Sequence, residues 1–188
     1  MNKTVPIAVM VGLVVAIASF GYGYSSGTQV YEGVKVSGWV KVQVVRDDKV
    51  IYFHEGHNLI TNQGKDIISK QLAAQGNATQ KFNPNGTIYI ALTSWAGAPN
   101  ATQTQLTAEI TSGGLDRASG TYHHTNGTST FSIRKTFTAS ASFTAVQEAG
   151  LFNNPTASGT GLLAVNTFSS VNLISGDQIT ITWTITIS

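Results

Sequence analysis

The sequence predicts an all-β protein: a single jelly-roll-like β-sandwich of about eight or nine strands, with one short helix and an extended N-terminal segment. Three observations carry this. Apolar and polar residues alternate with period two from Val34 onward, as in strands that bury one face. Asn, Asp, Gly and Pro break the alternation at short intervals, as turns between sandwich strands do. Helical spacing of apolar residues is confined to one stretch.

The elements follow in order. "VKVSGWVKVQVV" puts Val34, Val36, Val40, Val42 and Val44 on one face. Asp47-Asp48 supplies a turn, and "KVIYFHE" returns as the second half of a hairpin. "TNQGKDIISKQLAAQ" is the helix: Ile67, Ile68, Leu72 and Ala73 recur at helical spacing, Thr61 or Asn62 is placed to cap it, and Gly76 follows it. A polar loop, "NATQKFNPNG", leads to "TIYIALTS", a short buried strand. "WAGAPNATQTQLTAEITSGGL" is a long connection with room for one helical turn. Five further strands are expected in "RASGTYHH", "STFSIRKTFTAS", "FTAVQEAGLFN", "GLLAVNTFSS" and "DQITITWTITIS". In the last, Ile179, Ile181, Trp183, Ile185 and Ile187 face one way, and Thr180, Thr182, Thr184 and Thr186 the other. No repeat or interdomain linker interrupts residues 34–188, which form one sandwich domain.

Composition narrows the function. Of 188 residues only 11% are charged, against roughly 25% in ordinary soluble proteins. Thr, Ser, Asn and Gly take the surface role instead. Eleven basic and nine acidic residues give a net charge of +2, and no basic run is present to attract nucleic acid. Cysteine is absent, which excludes thiol catalysis, cysteine-ligated metal and disulfide staples.

Residues 1–18 read as a secretion signal peptide. "MNK" is a short basic start, "VPIAVMVGLVVAIASF" is apolar but shorter than the roughly 20 residues that span a bilayer, and Ala16-Ile17-Ala18 is a small-x-small cleavage site. Cleavage near Gly21 or Gly23 and retention as a membrane anchor are the alternatives. The chain is therefore expected to be secreted, extracellular or at the cell surface, touching a membrane only transiently.

The search for chemistry returns little. Asp47, Asp48, Glu55, Asp66, Glu109, Asp116, Glu148 and Asp177 are scattered, with no spacing that implies a paired-carboxylate site. His54 and His57 lie in a strand-to-loop segment, and the adjacent His123 and His124 point to opposite faces of a strand. No nucleophile motif or phosphate loop occurs. Neither a catalytic activity nor a cofactor nor a metal is expected. Trp95, in the long connection, is a candidate sugar-binding platform. Four N-x-Thr sequons, at Asn77, Asn85, Asn100 and Asn126, fall in expected loops or strand edges and mark candidate N-glycosylation sites.

Residues 19–33, "SFGYGYSSGTQVYEG", carry a broken period-two pattern. Tyr22, Tyr24, Thr28 and Val30 share the parity of Val34 and Val36 in the strand that follows. Fifteen extended residues reach roughly 50 Å, more than the diameter of about 40 Å expected for the sandwich. Such a segment is either a linker or a strand that completes an open sheet edge in a neighbouring copy. A head-to-tail contact of that kind does not close on itself and propagates into a filament.

This layout resembles archaeal surface filament subunits of the thread and bundling-pilus type. The shared features are a signal, a short N-terminal segment, one Thr-rich sandwich without cysteine, and sequons. The resemblance implies donor-strand complementation: each subunit inserts its N-terminal strand into the next, here with Tyr22, Tyr24, Thr28, Val30, Val34 and Val36 as the donor side chains. The implied partner is another copy of the chain, with surface glycans or neighbouring filaments as further partners, in adhesion or biofilm formation. Separately, "HNLITNQGKDIISKQLA", "VQEAGLFNN" and "SGDQITITWTITI" are similar to segments of fibre-associated β-domains of phage-like particles. The alternative to a filament subunit is thus a glycan-binding adhesin or a virion fibre domain, and a secreted hydrolase is a more distant third.

Overall fold

The computed structural model describes residues 35–72, 88–95 and 97–188. They form two five-stranded antiparallel sheets and one short helix, the all-β sandwich the alternation implies. The strands are β1 (Val36–Arg46), β2 (Lys49–His57), β3 (Leu59–Ile60), β4 (Tyr89–Thr93), β5 (Ala118–Ser119), β6 (Thr121–His124), β7 (Thr130–Thr138), β8 (Phe143–Phe152), β9 (Leu162–Leu173) and β10 (Gln178–Ile187). The helix α1 is Asn62–Leu72. The first sheet has the order β2-β1-β10-β7-β6 and the second the order β3-β9-β8-β4-β5.

Ten strands replace the expected eight or nine because two of them are only two residues long. "RASGTYHH" is not one strand. It splits at Gly120, with β5 in the second sheet and β6 in the first. The Gly120 amide donates to Ile88 O at the crossing, and a side chain there would collide with Ile133. The 95–115 connection contains no helical turn among its described residues.

The core sits between the sheets where the period-two pattern puts it. Val40, Val42 and Val44 of β1 and Ile179, Ile181, Trp183 and Ile185 of β10 are buried, facing Ile90, Leu92, Val146, Leu151 and Leu173 of the second sheet. The pattern fades at the strand ends: Val36 is half-buried and Ile187 is exposed. The β1–β2 hairpin turns at Asp47 and Asp48, both at positive φ (49° and 59°). Asp tolerates that conformation, and two such residues give the turn that matches strand twist.

A second, smaller cluster of Ala91, Leu106, Phe152, Leu162 and Val165 lies on the outer face of the second sheet. Leu106 of the long connection covers it, while α1 packs on β9 with Ile67 against the main core. Thr61 is the helix cap: its Oγ1 accepts from the Gly64 amide at 2.9 Å and donates to Leu162 O. This satisfies one orphan helix donor and tethers the helix to the strand in the same step. Gly64 is what lets the helix lie so close, because a Cβ there would stand 2.1 Å from Leu163 O.

That contact decides the sign of a substitution. In a free helix Gly→Ala gains up to about 1 kcal/mol. Here the clash is with backbone, so Gly64→Ala is expected to destabilise by about 1–3 kcal/mol. A urea midpoint at or above that of the parent chain would show that the helix does not rest on β9.

Candidate assembly surface

Edge strands decide where another chain can add, because their outer backbone groups lack a partner. In the first sheet the edges are β2 and β6; in the second they are β3 and β5. β3 and β5 have two residues each and β6 has four, whereas β2 has nine. β2 pairs with β1 along one side, with a bulge opposite Val44 and Val45. Its inward side chains close the sandwich: the Tyr52 phenol donates to Ser169 O of β9 at 2.7 Å, and the Tyr52 and His54 rings lie 6.3 and 6.1 Å from Phe168. Its other side chains do not. Val50, Ile51 and Phe53 are 56, 45 and 59% exposed. Three large apolar residues along an edge strand are costly to leave in water and mark a surface suited to strand addition.

The expected site residues distribute as follows. Tyr22, Tyr24, Thr28, Val30 and Val34, with the whole of 1–33, lie outside the described residues, as do Asn77 and Asn85. Val36 is in β1 opposite Ile187, so its own sheet already provides its neighbour, and Lys35 and Ser188 exchange both backbone hydrogen bonds just beyond it. A donor segment must therefore lie before Lys35. Asn100 is exposed, and its Oδ1 accepts from the Thr102 amide and hydroxyl at 2.9 and 3.0 Å. Asn126 is exposed in a tight turn closed by Thr128 N and Oγ1 on Thr125 O. Trp95 is 39% exposed, with its ring folded over Gly97, and stands apart from β2. His54 faces inward toward Phe168 and His57 outward against Trp39, so the two do not converge on a common centre. Among the described residues no group of three or more His, Asp or Glu is placed to hold a metal, and no helix is long and apolar enough to cross a membrane.

Sequence reasoning missed the buried ionic ties that hold the loops. Arg117 donates to both carboxylate oxygens of Glu109, at 2.9 and 2.6 Å, and to Asn154 O at 2.9 Å. Both side chains are buried, Glu109 also accepts from Ser158 N, and the guanidinium stacks 3.6 Å over Phe152. This one pair clamps the long connection to the 153–161 loop. A second pair, Arg46–Asp177 at 2.8 and 2.6 Å, ties the end of β1 to the β9–β10 turn. Its hydrogen bonds hold the Asp177 carboxyl below its ordinary value. Nothing in the spacing of these residues announces either pair; both depend on chain crossings.

Glu148 is different. It is fully buried on β8, between Thr93 and Thr167 in the register of the sheet. Among the described residues, its Oε1 meets only Gln103 Nε2 at 3.4 Å and its Oε2 has no partner. Burial pushes its carboxyl up from 4.5 to about 7, a rise that the Gln103 hydrogen bond only partly offsets.

Two predictions follow from these groups. Removing one partner of the buried clamp, in Glu109→Gln or Arg117→Met, is expected to cost about 3–5 kcal/mol; a loss under about 1 kcal/mol in urea unfolding would mean the clamp is not buried. The pH profile carries opposite signs for the two carboxyls. A raised folded-state pKa at Glu148 means stability falls as pH rises from about 4.5 to 7, by an amount on the order of 3 kcal/mol. The lowered pKa of Asp177 means a contribution present above its ordinary value and lost as pH falls through the depressed one. Glu148→Gln is expected to raise the melting temperature more at pH 8 than at pH 4; an equal effect at both would contradict the burial of the charge.

No protein-family model, curated protein or solved structure matches this chain.

Proposed function

We propose that the chain is the structural subunit of an extracellular filament, assembled head to tail as residues 19–33 of one copy add to the sheet edge of the next. The observation that carries this reading is β2, a nine-residue edge strand with three exposed apolar side chains, in a chain whose preceding segment has alternating Tyr, Thr and Val. Main-chain hydrogen bonds would supply the affinity and alternate side chains the register.

Reach disfavours antiparallel pairing of this segment with the chain's own β2. β1 and β2 are antiparallel, with Trp39 opposite His57, so the N-terminal segment joins the sandwich at the His57 end of β2. To pair antiparallel with its own β2 it would have to end at Lys49, about 30 Å away at ~3.3 Å per residue. Once roughly nine residues are paired, the remainder of 19–34 spans only about 23 Å. The same segment meets no such limit on another molecule. The reading is of a non-catalytic protein with few charges on a surface exposed to its environment. N-glycans at Asn77, Asn85, Asn100 and Asn126 would hydrate that surface.

Chains beginning at Ser19 and at Val34 test this by negative-stain electron microscopy. Filaments from the longer chain and monomers from the shorter are expected, and Ile51→Lys with Phe53→Lys in the longer chain is expected to give folded monomers. Filaments from the Val34 chain would refute the role of residues 19–33, and filaments from the double variant would refute β2 as acceptor. Monomers from all three would sink self-assembly and leave the adhesin reading, with Trp95 as its platform.

A further inference from the structure

The outer face of the first sheet differs in chemistry from its edge. Along β1, β7 and β10 the residues that alternate with the core point outward, and antiparallel register sets them in rows. One row runs Glu55, Lys41, Thr182, Arg134, Thr121 from β2 to β6. The next runs His57, Trp39, Thr184, Ser132, His123. A third runs Phe53, Gln43, Thr180 and Thr136, the two threonine hydroxyls bonded to each other at 2.8 Å. Toward β6 the face dips into an open depression of about 600 Å³. Arg134, Lys135, His123 and the hydroxyls of Thr121, Ser132 and Thr182 line it, and no carboxylate does among the described residues. A smaller depression shares His123 and Ser132 and extends the trough past Thr184, again without a carboxylate.

We infer that this face binds an acidic polysaccharide, with sugar rings stacked on Trp39 and carboxylate or sulfate groups at Lys41 and Arg134. Three features point to this chemistry. Trp39 is 42% exposed, and its ring is braced against His57 at a centroid distance of 3.8 Å. A braced flat ring gives stacking area at little cost in side-chain entropy. Lys41 and Arg134 flank Thr182 from β1 and β7, so their backbones stand two strand spacings apart, about 10 Å, a separation suited to charges on alternate sugars of a chain. Between the cations lies a floor of hydroxyls, which can donate to and accept from sugar hydroxyls. The depression beside Arg134 carries cations and, among the described residues, no acid, which suits a polyanion; Trp39 and Lys41 lie next to it on β1, where the one acid of the rows, Glu55, is paired with Lys41. Lys41 pairs with Glu55 at 3.5 Å with both side chains about half exposed, a pair weak enough to exchange for a ligand. Arg134 is suited to bidentate recognition of carboxylate or sulfate.

The inference does not require polymerisation: Glu55 and His57 of β2 border the face, but Arg134, Thr182 and the depression lie on β7, β10 and β6, away from the β2 edge. It is tested on the Ser19–Ser188 chain by affinity electrophoresis and titration calorimetry with alginate, neutral dextran and inorganic polyphosphate. Retardation by alginate and none by dextran is expected. Arg134→Gln, Lys41→Gln and Trp39→Ala are each expected to weaken alginate binding by about tenfold, with melting temperatures checked against the parent. Arg134→Gln and Lys41→Gln report the same charge independently, so a folding defect in one does not remove the test. Absence of alginate binding overturns the proposal. So does alginate binding that survives all three substitutions. Polyphosphate binding as tight as alginate and indifferent to Trp39→Ala would overturn the saccharide assignment in favour of charge alone.

Discussion

The central position of β10 is the constraint on which the rest of the structure depends. This strand pairs along nearly its whole length with β1 on one side and β7 on the other. Its inward residues Ile179, Ile181 and Ile185 surround Trp183, which is completely enclosed. A strand buried on one face and paired on both sides is the most expensive element to displace, since apolar area and two ladders of hydrogen bonds would be lost together. Its placement dictates its neighbours. With β1 committed to β10, the hairpin turn at Asp47-Asp48 can put β2 only on the outside. The edge position of β2, and the apolar residues it shows there, are consequences of that pairing. So is the pairing of Lys35 with Ser188.

A surface poor in charge is not matched by an interior free of it. The ion pairs that do form are used where the strand ladders stop. Arg117–Glu109 closes the long connection over Phe152, and Arg46–Asp177 locks the turn that feeds β10. In each the carboxylate receives further backbone amides, Ser158 N for Glu109 and Ile174 N for Asp177. That extra satisfaction offsets desolvation that a bare buried pair would not. With few titratable groups, the pH dependence of stability comes down to Glu148 and Asp177, which act with opposite signs: Glu148, with one weak partner, destabilises the fold when it ionises, and Asp177 stabilises it.

The proposed functions use two parts of one sheet with opposite chemistry. The edge is apolar and offers unpaired backbone, which suits another β-strand. The outer face is hydroxylic and cationic around an exposed indole, which suits a sugar chain. Alternation makes this division possible: one side of each strand is spent on the core, and the other is free to carry recognition. In β10 that free side is a run of four threonines, β-branched residues that favour the strand while keeping its face polar.

Much of the architecture was legible in local pattern. The alternation in "DQITITWTITIS" and "VKVSGWVKVQVV", the Asp-Asp turn and the Thr61-capped helix are short-range signals, and each appears where the residues imply. The same signals could not show that "RASGTYHH" changes sheets at Gly120, because crossing from one sheet to the other depends on what Ile88 and Ile133 do far away in the chain. Nor could they pair Arg117 with Glu109 or bury Glu148, since all three look like ordinary scattered charges until loops cover them. Of the candidate site, the sequence offers residues 19–33, whose period-two pattern is the basis of the proposed added strand. Only the tertiary structure decided which edge stays open, and it did so because strand order follows from burial and long-range pairing, which local periodicity does not encode.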